Sequence, residues 1–135
     1  MMRILLVDDN PDFLTAVSGL LSAQKYLKVV GRVPTGRQAI ERARELKPDV
    51  VLMSITRPPT NCFEATRNIK QWNEAVRVII LSLYDDQEYR KRAEAAGADG
   101  FVVKSRFAEQ ILPLLQESDP GRKRFSRKFR RIKAL

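Results

Sequence analysis

Five short apolar runs, each followed by a stretch with helical spacing, limit what this chain can become. The runs cover residues 3–7, 27–33, 50–53, 77–82 and 99–103. Most are continuously apolar instead of alternating, the pattern of strands buried on both faces. After the first run comes Asp8-Asp9-Asn10-Pro11, with proline suited to a first helical turn. Phe13, Leu14, Val17, Leu20 and Leu21 then recur at helical spacing. Thr35 is a predicted N-cap for a helix carrying Ala39, Ile40, Ala43 and Leu46, closed by Lys47-Pro48. After the third run, Pro58-Pro59 predicts a loop and a helix from about Cys62 to Trp72. Asp85-Asp86 opens a fourth helix through Tyr89, Ala93 and Ala96, which Gly97 stops. Ser105 is the predicted cap of a fifth, with Phe107, Ile111, Leu114 and Leu115 apolar, and Pro113 inside it predicts a kink, a loosening or a late start. This alternation requires a parallel sheet with helices on both faces, an α/β fold.

Length and charge set further bounds. One domain accounts for 135 residues, with enough chain to bury a core. No apolar run approaches the ~20 residues of a membrane span. The N-terminus lacks a signal-peptide pattern, and Cys62 is the one cysteine, so a cytoplasmic setting is expected. Histidine is absent, which removes the commonest general base and metal ligand. The net charge of +9 is unevenly distributed. All sixteen acids precede residue 120, whereas Arg122, Lys123, Arg124, Arg127, Lys128, Arg130, Arg131 and Lys133 crowd the C-terminus. The expected organisation is a near-neutral domain over residues 1–118 and a polybasic tail over 119–135.

Active groups in an open α/β sheet gather at the carboxyl ends of its strands. Here those ends offer Asp8 and Asp9, then Ser54, Ser82 and Lys104. Adjacent carboxylates, a hydroxyl and an ammonium suit a divalent cation and a phosphoryl group.

With these residues in place, the chain resembles a response-regulator receiver domain from residue 3 to about 117. The resemblance rests on Ile4-Leu-Leu-Val-Asp-Asp-Asn-Pro11, Pro48-Asp-Val-Val-Leu-Met53, Glu64-Ala-Thr-Arg67, Val78-Ile-Ile-Leu-Ser82 and Gly97-Ala-Asp-Gly-Phe-Val-Val-Lys104, in that order. It implies a doubly wound, flavodoxin-like sheet of order 2-1-3-4-5 with five helices. It implies Mg²⁺ at Asp8 and Asp9, a hydroxyl that follows the phosphoryl group at Ser82, a switch aromatic at Phe101 and the family lysine at Lys104. The wording around Lys104 is most similar to receivers that precede helix-turn-helix DNA-binding domains. Phe101 could pack on either face of the sheet.

The departures matter equally. The family's phosphoacceptor aspartate falls on Ser54, the following Met-Pro becomes Arg57-Pro58, and the loop glycine becomes Cys62. A serine hydroxyl is a poor nucleophile without an adjacent base. Losing a carboxylate also removes a hard ligand and a charge, so Mg²⁺ affinity is expected to be weak or lost. The resulting expectation is a pseudo-receiver that signals by contact with a histidine kinase or downstream regulator, homodimerisation being open. Phosphoryl chemistry on a small molecule is a competing expectation. In the tail, Phe125, Phe129, Ile132 and Leu135 fall on one helical face, which suits an anionic membrane surface or a partner, the basic groups suit nucleic acid, and disorder suits both. The Arg90-Lys91-Arg92 run predicts a solvated helix face.

Overall fold

The computed structural model describes residues 1–117. Residues 118–135, and with them every expectation placed on the basic tail, lie outside the described residues. The order is β1 (Met2–Val7), α1 (Pro11–Ser22), β2 (Leu27–Val33), α2 (Gly36–Leu46), β3 (Val50–Ser54), α3 (Pro59–Trp72), β4 (Arg77–Ser82), α4 (Gln87–Ala95), β5 (Gly100–Val103), a 3₁₀ turn (Lys104–Arg106) and α5 (Phe107–Glu117). All four strand pairings are parallel, in the order β2-β1-β3-β4-β5. The alternation of strands and helices thus folds as the sequence requires.

Strand alternation sorts the core into two layers. Leu5, Val7, Val51, Met53, Val78, Ile80 and Phe101 pack with α2, α3 and α4. Ile4, Leu6, Val50, Leu52, Ile79, Leu81 and Val102 pack with α1 and α5. Successive side chains of a strand point to opposite faces, so a sheet covered on both sides needs both parities apolar. Phe101 therefore belongs to the α2–α4 layer, where it is fully buried.

Local chemistry sets most of the helix ends. Asn10 caps α1 by accepting from the Asp12 and Phe13 amides, with Pro11 in the first turn. Thr35 and Asp86 cap α2 and α4 in the same way. Lys47 and Gly97 close helices α2 and α4 with left-handed backbone, at φ 50° and 93°. Three expectations are corrected. Helix α3 starts at Pro59 instead of near Cys62, because the ring fixes a helical φ and the first turn needs no amide donor there. Ser105 caps nothing; it lies within the 3₁₀ turn before α5. Pro113 does not delay α5, which runs through it from Phe107 to Glu117 with the proline on the exposed side. Asp99, buried ahead of β5, accepts from the Val78 amide and from Lys70 Nζ, fastening the start of β4 to α3.

Two glycines yield opposite expectations. A Cβ on Gly36 would stand 2.7 Å from the Asn61 carbonyl oxygen and 3.0 Å from Ala65 Cβ, so alanine there must push α2 from α3. Gly36→Ala is expected to cost about 1–3 kcal/mol in urea unfolding. Gly19, in the middle of α1, meets nothing within 4 Å, and Gly19→Ala should stabilise by about 0.5–1 kcal/mol.

Candidate functional site

The first residue beyond β1 carries a buried charge. Asp8 is 2% exposed, and both carboxylate oxygens are engaged. Oδ1 accepts from the Asn10 amide at 2.8 Å, and Oδ2 accepts from Lys104 Nζ at 2.6 Å. Lys104 arrives from just past β5, and its ammonium also lies 4.2 Å from the centroid of the Phe13 ring. Phe13 meets Phe107 edge to face at 6.0 Å. One ammonium thus joins the ends of β1 and β5 to α1, with an aromatic face adding to its attraction for the carboxylate.

Ser54 ends β3, which pairs with β1 on one side and β4 on the other. Its neighbour Met53 is in register with Val7, so Ser54 and Asp8 stand at adjacent strand ends. Ser54 is 1% exposed, and its Oγ has no hydrogen-bond partner in the protein. An unmet buried hydroxyl costs roughly 1–3 kcal/mol. Asp9, one residue from Asp8, is exposed.

Ser82 and Phe101 turn the other way. Ser82 shares the parity of Val78 and Ile80 on the α2–α4 side. Its hydroxyl donates to the Tyr84 carbonyl at 2.7 Å and accepts from the Tyr84 amide at 3.3 Å, which folds the start of the β4–α4 loop. Phe101 lies beneath the Arg90 guanidinium, 4.7 Å from ring centroid to Cζ. Arg90 is 4% exposed and pairs through Nε with Asp85 Oδ1 at 2.6 Å. Of the six groups picked from the sequence, Asp9 is exposed and the other five form two sets. Asp8, Ser54 and Lys104 lie towards α1 and α5, whereas Ser82 and Phe101 lie towards α4.

Arg90 corrects the expectation of a solvated basic face. A planar guanidinium can stack on an aromatic ring while keeping a carboxylate partner, so Arg90 turns inward and Arg92 lies 4.6 Å from the Phe63 centroid. Its signal in the sequence was faint: an arginine at helical spacing between Asp86 and Ala93. Cys62 is buried, and burial pushes its thiol up to about 12 against a smaller opposing pull from Arg92. It is a packing residue without nucleophilic character.

As a cation site the donor set falls short. Among the described residues no three acids or cysteines converge on a point where a metal ion could sit. Each Asp8 oxygen already accepts one hydrogen bond, and Ser54 offers a neutral hydroxyl where a charged oxygen would strengthen a cation site. Mg²⁺ demands a nearly regular octahedron of oxygens, and these residues do not fit it well.

Residues 4–116 match the response regulator receiver domain. The chain belongs to that family. It is 30% identical over 126 residues to the response regulator GacA of Pseudomonas aeruginosa, covering 93% of this chain and 59% of that protein. It is 32% identical over 120 residues to the response regulator VraR of Staphylococcus aureus, covering 89% and 57%. The receiver chain thus spans little more than half the length of these curated relatives. Among solved structures, a LuxR-family two-component response regulator from Aurantimonas superposes with TM-score 0.83 at 28% identity, covering 100% of this chain and 99% of that one. The receiver domain of the putative response regulator NarL from Mycobacterium tuberculosis gives 0.79 at 26% identity, over 86% and 94%. The flavodoxin-like order of the receiver sheet, and its place in two-component signalling, follow from the same matches.

The buried pair gives a direct test. Lys104→Met leaves the Asp8 carboxylate buried without its counter-ion and should cost about 3 kcal/mol in urea unfolding. Adding Asp8→Asn should recover more than half of that loss. Additive losses would show that the two groups are uncoupled.

Proposed function

We propose that this receiver works as a pseudo-receiver, passing a signal by protein contact without accepting a phosphoryl group at the third strand. The observation that supports this most strongly is the buried, unpartnered Ser54 hydroxyl beside a carboxylate already paired with lysine. Acyl-phosphate formation needs a carboxylate nucleophile at that position. Serine would need a base to take its proton, and the sequence has no histidine, while Asp8 is held by Lys104. The same shortage argues against a phosphoryl-transfer enzyme at this site.

In this proposal Asp8 and Asp9 are a residual cation site with weak or lost Mg²⁺ affinity. Lys104 has been redirected from a phosphoryl group to Asp8. Ser82 and Phe101 keep the positions of a switch on the α4 side, where Tyr84 engages the hydroxyl and Arg90 stacks on the ring. The partner is a signalling protein, a histidine kinase or a downstream regulator, and pairing of two copies is compatible with the same surface.

A second role is favoured by one specific feature of the sequence. The eight basic residues from Arg122 to Lys133 follow the receiver directly, and relatives of this receiver include a LuxR-family regulator. In this role the tail supplies non-specific attraction to nucleic acid or an anionic surface, and affinity for duplex DNA should fall steeply with added salt.

Incubation with acetyl phosphate and Mg²⁺, followed by intact-mass measurement, tests the main proposal. The native protein should gain no phosphoryl group, and Ser54→Asp should gain one that hydroxylamine removes. A stoichiometric, hydroxylamine-labile adduct on the native protein would contradict it. Ser54→Ala should fold normally and be neutral or slightly stabilising, because it deletes an unmet hydroxyl.

A further inference from the structure

Beyond the acidic site, the β3–α3 and β4–α4 loops part to leave an open groove of about 610 Å³. The β3–α3 stretch contributes Ile55, Arg57 and Pro58 to its lining, and the β4–α4 stretch contributes Leu83, Tyr84 and Tyr89. That volume is in the range that holds small organic molecules, roughly 300–1,000 Å³. Ile55 and Tyr89 pack against the α2–α4 layer of the core, so the groove lies across the sheet from the Asp8–Lys104 pair. Ser82 also lines it, so the groove borders the switch hydroxyl rather than the Asp8–Lys104 pair.

The lining specifies the chemistry of a ligand. Leu83 and Tyr84 are 64% and 73% exposed, a leucine and an aromatic ring left in water side by side. Pro58 adds a further apolar surface to the same lining, which suits a flat apolar body. Arg57 is the one charged group in the lining. It is exposed and forms no ion pair or hydrogen bond with any described residue. No carboxylate lines the groove to neutralise it. A planar guanidinium prefers a two-oxygen anion, which it can meet with parallel hydrogen bonds.

We propose that this groove binds a small aromatic carboxylate, its ring against Pro58, Leu83 and Tyr84 and its carboxylate on Arg57. The basic tail is a poor occupant, since it would bring eight positive charges to a positive site. The ligand would touch the loop that Ser82 organises through Tyr84, which gives it access to the β4–α4 region without a phosphoryl group. This goes beyond the pseudo-receiver proposal and stands or falls independently of it.

The test uses 2-naphthoate as probe, titrated into the ¹⁵N-labelled full chain, with 2-naphthalenemethanol as the uncharged counterpart. Saturable shifts confined to residues 55–59 and 82–89 are expected for the carboxylate. The alcohol should bind about tenfold more weakly, as should 2-naphthoate to Arg57→Glu. Arg106→Glu, the same charge change at an exposed arginine after β5, should leave affinity unaltered. The spectrum of Arg57→Glu away from the groove reports that the variant is folded. Absence of saturation, shifts spread along α4 as for a protein-docking face, or equal affinity in the native protein and Arg57→Glu would overturn the proposal.

Discussion

A single buried ion pair governs the functional end of this molecule. Asp8 is almost fully withdrawn from water, and a carboxylate in that position must find a positive partner or lose its charge. Lys104 supplies that partner from 96 residues away in sequence. The bond fixes the end of β1 against the end of β5 and brings Phe13 under the ammonium. In a site with three carboxylates one lysine could not satisfy them all. With serine as the third group, Lys104 pairs with the buried Asp8 while Asp9 stays exposed.

The opposite side of the sheet obeys a different constraint. Phe101 is fully buried and roofed by Arg90, whose guanidinium is held by Asp85 at the head of α4. Any outward turn of Phe101 has to displace a stacked cation that is itself almost out of water. Ser82 engages the adjoining loop through Tyr84 instead of reaching towards Asp8. The two halves of the receiver site are therefore held by separate contacts, one set electrostatic and the other a ring, a guanidinium and a hydroxyl.

The fold was legible because both parities of most strands are apolar, and because the cap at Thr35 and the helix start at Asp85-Asp86 follow from residue chemistry. The element boundaries that failed did so for local reasons. Pro59 looked like a loop residue but is equally at home in a first helical turn, and Ser105 looked like a cap although a 3₁₀ turn intervened. At the site, residue identities were legible and partners were not. Nothing in the spacing of Asp8 and Lys104 states that they touch, and nothing in Arg90-Lys91-Arg92 states that its first member is buried while Lys91 is exposed. Those facts arise from how helices α1 and α4 pack on the sheet.

With the Asp8–Lys104 pair and Ser54 in place, a divalent cation should find no well-made site. Isothermal titration with Mg²⁺ of the native protein and of Ser54→Asp measures this directly. The native protein should show no saturation into the millimolar range, whereas the carboxylate variant should bind with a defined stoichiometry of one. Saturable, one-site binding by the native protein, with no gain on Ser54→Asp, would contradict it.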